Sequence, residues 1–552
     1  MKTILALFTI CILALPLAGQ RTVGMITHDP SRAFPGYNLI YPHNQPNVYL
    51  LDNCGRIVHT WQDSAQWRPG NAAYLLENGY LVKTKRHTNF QNDSIWAGGG
   101  GAIVEIRDWQ NTLIWRFELN NPQQRLHHDF KRMPNGNLLM IAWELKTEAE
   151  AIQAGRKPAL LPQKKLWPDY ILEVNPSTNQ VVWKWHAWDH LIQDFDPSKA
   201  NFGDVKAHPE LIDVNWDTSN GHPDWMHANA IDYNPELDQI ILSVPTFDEV
   251  WIIDHSTTTQ EAAGHTGGKS GKGGDLLYRW GNPAAYRAGT TTDQKLFYPH
   301  DIHWVGPFLD KTHPHYGKLA TFNNQVNPRY STVNVFDPGF DRSTWSYPMK
   351  DGKWLPEKFD VDLTHPDTFQ INSDGLSNVQ LLPNGNTLIL SGRWGYAFEL
   401  TPSNQICWEY KVPLSGGTRV TQGRVLGIGA NITFRMDRYP LGFPAFSGKD
   451  LSPKGYLELN PDTASCVPVT SVRTLSPPGG LRYFPNPAQE TLVVYWESSI
   501  EQVMYVTDIM GKIRSTVRLR EGQNRLDLAQ LSSGIYFLIL PGREAMKLAV
   551  QK

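Results

Sequence analysis

Three short stretches of this chain share one pattern, and each begins with a histidine. They are His128-Asp129 ahead of Pro134-Asn135-Gly136-Asn137, His227-Ala228-Asn229 ahead of Tyr233-Asn234-Pro235, and His300-Asp301 ahead of Trp304-Val305-Gly306. Counting back six residues from each turn reaches the histidine; the same count leads from Pro383-Asn384-Gly385-Asn386 to Ser377 and from the weaker turn Glu77-Asn78-Gly79 to Asn71. Asn-Gly between apolar runs is a strong hairpin signal, so these are five copies of one strand-turn-strand unit. A second motif runs in phase with the first, placing Trp61, Trp115, Trp183, Trp280 and Trp408 on outer strands where each packs between neighbouring sheets. Repeats of this size built from strands form radial arrays whose equivalent positions converge on one axis. The three histidines are therefore expected to meet in space.

The fold class expected is all-β, a six-bladed β-propeller between Tyr37 and Val469 whose last unit is the least regular, followed by a small C-terminal β-sandwich. Aromatic residues make up 11% of the chain, with 44 glycines and 39 prolines, and almost no segment carries a helical apolar period. The exception, Thr147 to Gly155, predicts a short surface helix. A formal net charge of −3 supplies no long-range field for nucleic acid or an anionic bilayer, which leaves a small-molecule ligand as the expectation.

Met1-Lys2, the apolar run Ile4 to Leu17 and the small pair Ala18-Gly19 read as a secretory signal peptide over residues 1–19. The next residue is Gln20 and not cysteine, so the exported chain is expected to carry no lipid. No other run reaches membrane-spanning length, and no transmembrane segment is expected. Once Cys11 has left with the signal, Cys54, Cys407 and Cys466 remain, an odd number. Cys407 and Cys466 fall in the last two units and could pair, with Cys54 a buried strand residue. The linker Leu475-Ser476-Pro477-Pro478-Gly479-Gly480 divides residues 20–474 from 475–552.

The C-terminal segment opens with Tyr483-Phe484-Pro485-Asn486-Pro487-Ala488. It continues through the Gly511-Lys512 turn and Gly534-Ile535-Tyr536 to the basic strand Met546-Lys547-Leu548-Ala549-Val550. It resembles the type A C-terminal sorting domain of the type IX secretion system. That resemblance implies export across the outer membrane by the type IX machinery, then release or surface attachment.

The larger segment resembles the bacterial arylsulfate sulfotransferases, six-bladed propellers that move a sulfuryl group from a phenolic sulfate ester to a phenolic acceptor without a nucleotide donor. The residues that carry this are Asp224-Trp225-Met226-His227-Ala228-Asn229, Pro299-His300-Asp301, Phe322-Asn323-Asn324-Gln325 through Arg329, and Leu382-Pro383-Asn384-Gly385-Asn386. Arg435-Met436-Asp437-Arg438-Tyr439 and Gly448-Lys449-Asp450-Leu451 belong to the same likeness. The resemblance implies that His227, His300 and Arg329 are active-site residues. Where the register would set the family's sulfated histidine, in the fifth unit, this chain has Ser377. Either another histidine attacks or the chemistry differs.

Sulfuryl transfer needs cationic donors around peripheral oxygens, an in-line nucleophile and an acid for the leaving oxygen. A neutral imidazole can attack and form a covalent intermediate; a second imidazole can protonate the departing phenolate. Accordingly His227 and His300 are the nucleophile and acid candidates, Arg329 offers a planar fork for sulfate, and His128 completes the pocket. Asp129 and Asp301 either orient histidines or bond backbone. Arg393 is a further candidate anion ligand, and Asp189-His190 could line the pocket. His127 and His303 are expected to face away from His128 and His300, because strand residues alternate faces. His186 sits in a connection and is read as a surface or packing residue. Three histidines would also suit zinc, but no tight local pair accompanies them, and no metal or cofactor is expected. Gly267-Gly268-Lys269-Ser270 lacks a phosphate-loop context and is read, like Gly98 to Gly101, as a turn or loop. The rival from another class is a non-catalytic surface propeller that binds glycans or aromatic ligands.

Overall fold

A computed structural model describes residues 22–89, 93–306, 308–327, 330–463, Cys466, 481–496, 501–508, 512–540 and 546–552. The signal-peptide segment, the linker at 475–480 and Arg329 lie outside these described residues. The chain divides into two compact units, Met1–Cys466 and Val467–Lys552. The described residues are nearly all strand, turn and loop. The helix expected from Thr147 is there, Glu148–Gln153, and Thr147 and Glu150 close a reciprocal capping box at its start.

In the first unit, antiparallel sheets of four or five strands follow one another along the chain. The first is made of Trp67–Leu75, Leu81–His87, Ile103–Arg107 and Leu113–Glu118. The second begins with Gln124–Arg132, the third with Ala230–Asn234, the fourth with Pro299–Trp304 and the fifth with Asn378–Leu381. The sixth joins the two ends of the unit: Thr433–Pro440 pairs with Gly36–Pro42, which continues into Val48–Asp52 and Ile57–Trp61. Gly24–His28 adds an outer strand to the fifth sheet. The leading strands of successive sheets pack side by side, and that of the sixth packs against that of the first.

Both faces of each sheet are covered, which explains apolar residues at adjacent positions. Leu81 enters the cluster shared with the sixth sheet, and its neighbour Val82, pointing the other way, enters the cluster shared with the second. Every adjacent pair of sheets encloses a cluster of this kind.

Two polar devices fix the spacing between sheets. On the leading strands, Asp232 accepts the backbone N–H of Trp304, Asp301 that of Val379 and Asn378 that of Met436, each the next strand in order. On the outer strands, the tryptophan N–H reaches the connection between the third and fourth strands of the following sheet. Trp61 donates to the Asp108 carbonyl, Trp115 to the Asn179 side chain, Trp183 to Thr257 Oγ1, Trp280 to the Pro356 carbonyl and Trp408 to the Asn53 carbonyl. A buried indole N–H requires such a partner, which is why one residue type recurs at this position.

The cysteine pairing differs from the expectation. Cys54 and Cys466 form the disulfide, with their Cα atoms 5.6 Å apart, while Cys407 is free and buried. Cys407 sits inside the Ile406–Lys411 strand, its sulfur directed at the Glu399 carbonyl. Cys54 lies in the turn that follows Val48–Asp52, where it can meet the chain end.

The second unit has a three-stranded sheet, Leu481–Phe484, Thr491–Trp496 and Gly522–Asp527. Its four-stranded sheet is Ile513–Leu519, Gln502–Asp508, Gly534–Ile539 and Met546–Val550. Residues of both sheets, among them Leu492, Val494, Val506, Leu538 and Leu548, form one buried cluster.

Candidate active site

His128, His227 and His300 line one cavity of about 240 Å³ at the start of the leading strands, together with His43, which follows the Gly36–Pro42 strand. The local backbone brings them there. The strand pairing shifts register at residues 128, 300 and 71, each a bulge, and His128, His227, Asn71 and Ser377 all hold left-handed φ, at 49°, 56°, 116° and 87°. In the fourth sheet the left-handed residue is Asp301, at 60°, one position after the histidine. The bulges break the strict alternation of faces, and His127 consequently does not turn away from His128. Its Nδ1 lies 2.8 Å from His128 Nδ1 while its ring stacks on Trp143. His303 does lie apart from the cavity, bonded through Nδ1 to the Asp301 carbonyl.

The four imidazoles have different electrostatic situations; burial, with the Arg86 charge, lowers the pKa of His43 to about 4. His300 Nδ1 donates to the Ser377 carbonyl at 2.8 Å, which leaves Nε2 as the unprotonated nitrogen; that atom is buried and takes no hydrogen bond. Burial, with the Arg435 charge beyond it, holds its pKa down at about 3, so the ring is neutral. Burial and the surrounding histidines also push His128 well below its ordinary value. His227 goes the other way. Burial would lower its pKa, but the Asp224 charge, a 2.5 Å hydrogen bond from Nδ1 to Asp224 Oδ2 and the more distant Asp169 together raise it. The cavity thus pairs a neutral imidazole carrying a free lone pair with an imidazole stabilised as a cation. His128 and His227 meet edge to face at 4.5 Å.

Arg86 and Arg393 also line the cavity. Arg86 lies over the Trp96 ring; burial lowers its pKa only to about 10, and it stays cationic. Arg393 belongs to a 3₁₀ turn, Gly392–Trp394, rather than to the preceding strand, and its Nε pairs with Asp374 at 2.8 Å. The Gly98–Gly101 turn roofs the histidines. A Cβ at Gly99, whose φ is +83°, would stand 2.0 Å from His128 Nε2, and the Gly99 carbonyl accepts from the His128 backbone and from Asn71 Nδ2. A second cavity of about 560 Å³ adjoins, sharing Gly98, His227 and Tyr298 and adding His222, Asp248 and Gln325.

Ser377 does not take part as a side chain. It is fully buried, its hydroxyl bonded to Ser373 Oγ and to the Gly392 N–H, and only its carbonyl touches the site, through His300. Asp129 and Asp301 bond backbone N–H groups and clamp Arg435 between them at 2.9 and 2.8 Å; neither orients a cavity histidine. His186 pairs with Glu144, and His190 with Asp275, both away from the cavity. A larger cavity, about 950 Å³, lies at the other end of the leading strands among the hairpin turns of Asn78, Pro134 and Gly306, and none of its lining residues is a histidine.

Sequence reasoning missed Asp224, Arg86 and His43. Asp224 stands in the quoted run three residues before His227, the spacing at which a loop carboxylate returns to its own histidine; Arg86, inside a strand, gave no signal.

Residues 482–550 match the secretion system C-terminal sorting domain, and the protein is exported for secretion or surface attachment. No helix among the described residues is long and apolar enough to cross a membrane. No curated protein matches the chain in sequence. Solved structures it is similar to include a protein of unknown function from Bacteroides caccae, at 10% identity and TM-score 0.36, covering 68% of this chain and 93% of that one. A streptogramin B lyase follows at 9% identity and TM-score 0.33, covering 77% and 96%, and the virginiamycin B lyase of Staphylococcus aureus at 11% and 0.31, covering 69% and 86%. Residues 35–329, more than half of the sequence and the stretch that contains the cavity histidines His43, His128, His227 and His300, match the arylsulfotransferase (ASST) family, and the chain belongs to it.

Proposed function

We propose that the protein transfers a sulfuryl group from a phenolic sulfate ester to a phenolic acceptor through a covalent intermediate on His300. The observation that carries this reading is the buried, unbonded Nε2 of a neutral His300 in the same cavity as a cationic His227. The Nε2 lone pair attacks sulfur and the bond from sulfur to the aryl oxygen breaks. The departing electron pair goes to that oxygen, which takes the proton of His227. The imidazolium left on sulfated His300 is stabilised through Nδ1–H by the Ser377 carbonyl. The acceptor hydroxyl then gives its proton to the now neutral His227 and attacks sulfur, which restores both histidines.

Arg86 and Arg393 supply positive charge for the peripheral oxygens, and His128 completes the wall. Arg329 keeps its place as a sulfate ligand on the family resemblance. Neither a metal nor a nucleotide enters this scheme. In the same reading the first unit is a six-bladed propeller closed by its two chain ends, residues 1–19 are a signal peptide, 20–474 the propeller and 475–552 a β-sandwich recognised by the type IX machinery.

Turnover of p-nitrophenyl sulfate by the purified protein, with and without phenol, tests the proposal. Nitrophenol release that rises with phenol, and a sulfuryl adduct on the His300 peptide when acceptor is withheld, is the expected result; release with the adduct elsewhere removes His300 as nucleophile.

A further inference from the structure

The loop 264–274, set aside above as a glycine-rich loop, folds against a group of side chains that the sulfuryl-transfer scheme does not use. His190 Nδ1 and His265 Nδ1 both lie 2.8 Å from one carboxylate oxygen, Asp275 Oδ1. His190 is fully buried, Asp275 nearly so, and the His265 side chain is 60% exposed. The other nitrogen of His190, Nε2, lies 2.9 Å from the Ala262 carbonyl.

The hydrogen-bond accounting at His190 is one-sided. Both ring nitrogens face oxygen atoms, Asp275 Oδ1 and the Ala262 carbonyl, and the carboxylate oxygen is shared with a second histidine. A divalent cation fits these three donor atoms, which all lie within 4.8 Å of one another. It takes the Nδ1 lone pairs of both histidines together with Asp275 Oδ1, and leaves His190 Nε2–H donating to a backbone carbonyl, the outer contact that typically orients a metal-bound imidazole.

The surroundings hold the histidine in this pose. Trp185 stacks on His190 at 5.7 Å with an interplanar angle of 7°, and its indole N–H is fixed by the Gly274 carbonyl at 2.7 Å. A Cβ at Gly274 would come within 2.6 Å of His190 Nε2, so only glycine lets the loop close over the ring.

We infer that His190, His265 and Asp275 form a zinc site that staples the 264–274 loop to the 3₁₀ turn Ala187–His190. Two imidazoles and one carboxylate favour zinc over calcium or magnesium, which prefer oxygen donors. At zinc-ligand lengths near 2.0–2.2 Å the donors stand about 3.3 Å apart, so the 2.8 Å contacts open by roughly half an ångström on binding. Exposed His265, on a loop with glycines at 264, 267, 268, 271, 273 and 274, supplies that movement, and its solvent side leaves room for water as a fourth ligand. None of its three residues lines the histidine cavity, so its role is structural.

The test is Zn²⁺ titration of metal-stripped protein by calorimetry, with Co²⁺ absorption as a second readout, on the wild type and on His265→Ala, Asp275→Asn and His300→Ala. One equivalent bound by the wild type and by His300→Ala, with affinity at least tenfold weaker in His265→Ala and Asp275→Asn and a tetrahedral Co²⁺ band lost in both, is expected. His265 is exposed, and its variant should keep the metal-free melting temperature, which separates loss of a ligand from loss of the fold. Absence of binding in the wild type, or equal binding in His265→Ala, overturns the site; so does binding lost only in His300→Ala, which would assign the metal to the catalytic cavity.

Discussion

The two histidines proposed for the chemistry differ in what each nitrogen touches, and that difference makes separable predictions. His300→Ala removes the attacking atom, so turnover of every aryl sulfate and the covalent adduct should disappear together, as read by nitrophenol release and peptide mass spectrometry. His227→Gln removes an acid. Its effect should depend on the leaving group: a loss of about 10²–10⁴-fold with phenyl sulfate, whose phenolate needs the proton, and a far smaller loss with p-nitrophenyl sulfate. Equal losses on both esters would mean that His227 binds sulfate instead.

The same assignment fixes a pH profile. The pKa of His227 is raised, so its acid form is present below that raised value and is lost as pH rises through it; the first-turnover rate on phenyl sulfate should fall on the alkaline side. His300 is neutral down to about pH 3, so no acid limb from its protonation should appear in mildly acidic buffer. Rapid-mixing measurements of phenol release across pH check both limbs. Unlike the fourth cavity imidazole, His43, which has no such register, His128, His227 and His300 were legible in the sequence because each stands at a fixed distance from a hairpin turn. Their protonation states were not, since they depend on Asp224 and on the Ser377 carbonyl, and carbonyl direction has no sequence signature.

At the scale of single elements, the turns and edge tryptophans carry the organisation. The Gly98–Gly101 turn was readable as a turn, but its placement over His128 follows from contacts distant in sequence. Gly99→Ala would set a methyl where the His128 ring stands and would strain a φ of +83°, so the ring or the turn must move. Turnover should fall at least tenfold while far-UV circular dichroism stays unchanged.

The tryptophan register was fully legible, and the structure grades it. Trp408 is buried and donates to the Asn53 carbonyl, whereas Trp115 is only partly buried and donates to a side chain. Trp408→Phe should cost about 1–3 kcal/mol in urea denaturation, because it orphans a buried carbonyl and leaves a void, and Trp115→Phe clearly less. The bulges were not legible. Period-two reasoning sent His127 away from His128, and the left-handed residue at 128 was enough to defeat it.

For the molecule as a whole, the question is what keeps a sheet assembled from both chain ends from opening. Hydrogen bonding between Gly36–Pro42 and Thr433–Pro440 closes the sixth sheet, and the Cys54–Cys466 bridge, spanning 412 residues of sequence, ties the end of the first unit to a turn of that same sheet. Proximity in sequence had favoured Cys407, but Cys407 is inside a strand and its sulfur points into the fifth and sixth sheets' shared core. Only the return of the chain end to the sixth sheet brings Cys466 to Cys54, and that return is a property of ring closure rather than of local pattern. A bridge that closes a loop this long restricts the unfolded chain strongly, and removing such bonds typically costs about 2–4 kcal/mol. An exported protein forms it in an oxidising compartment, so it should be intact in the secreted product. Cys466→Ser should therefore lower the melting temperature of the secreted protein and abolish its sensitivity to reductant, whereas Cys407→Ser should leave that sensitivity in place. Turnover at low temperature should survive in Cys466→Ser, because the histidines proposed for the chemistry stand on the second, third and fourth sheets, and His43, the cavity histidine beside the closing seam, is held by its own backbone bond to Ile432.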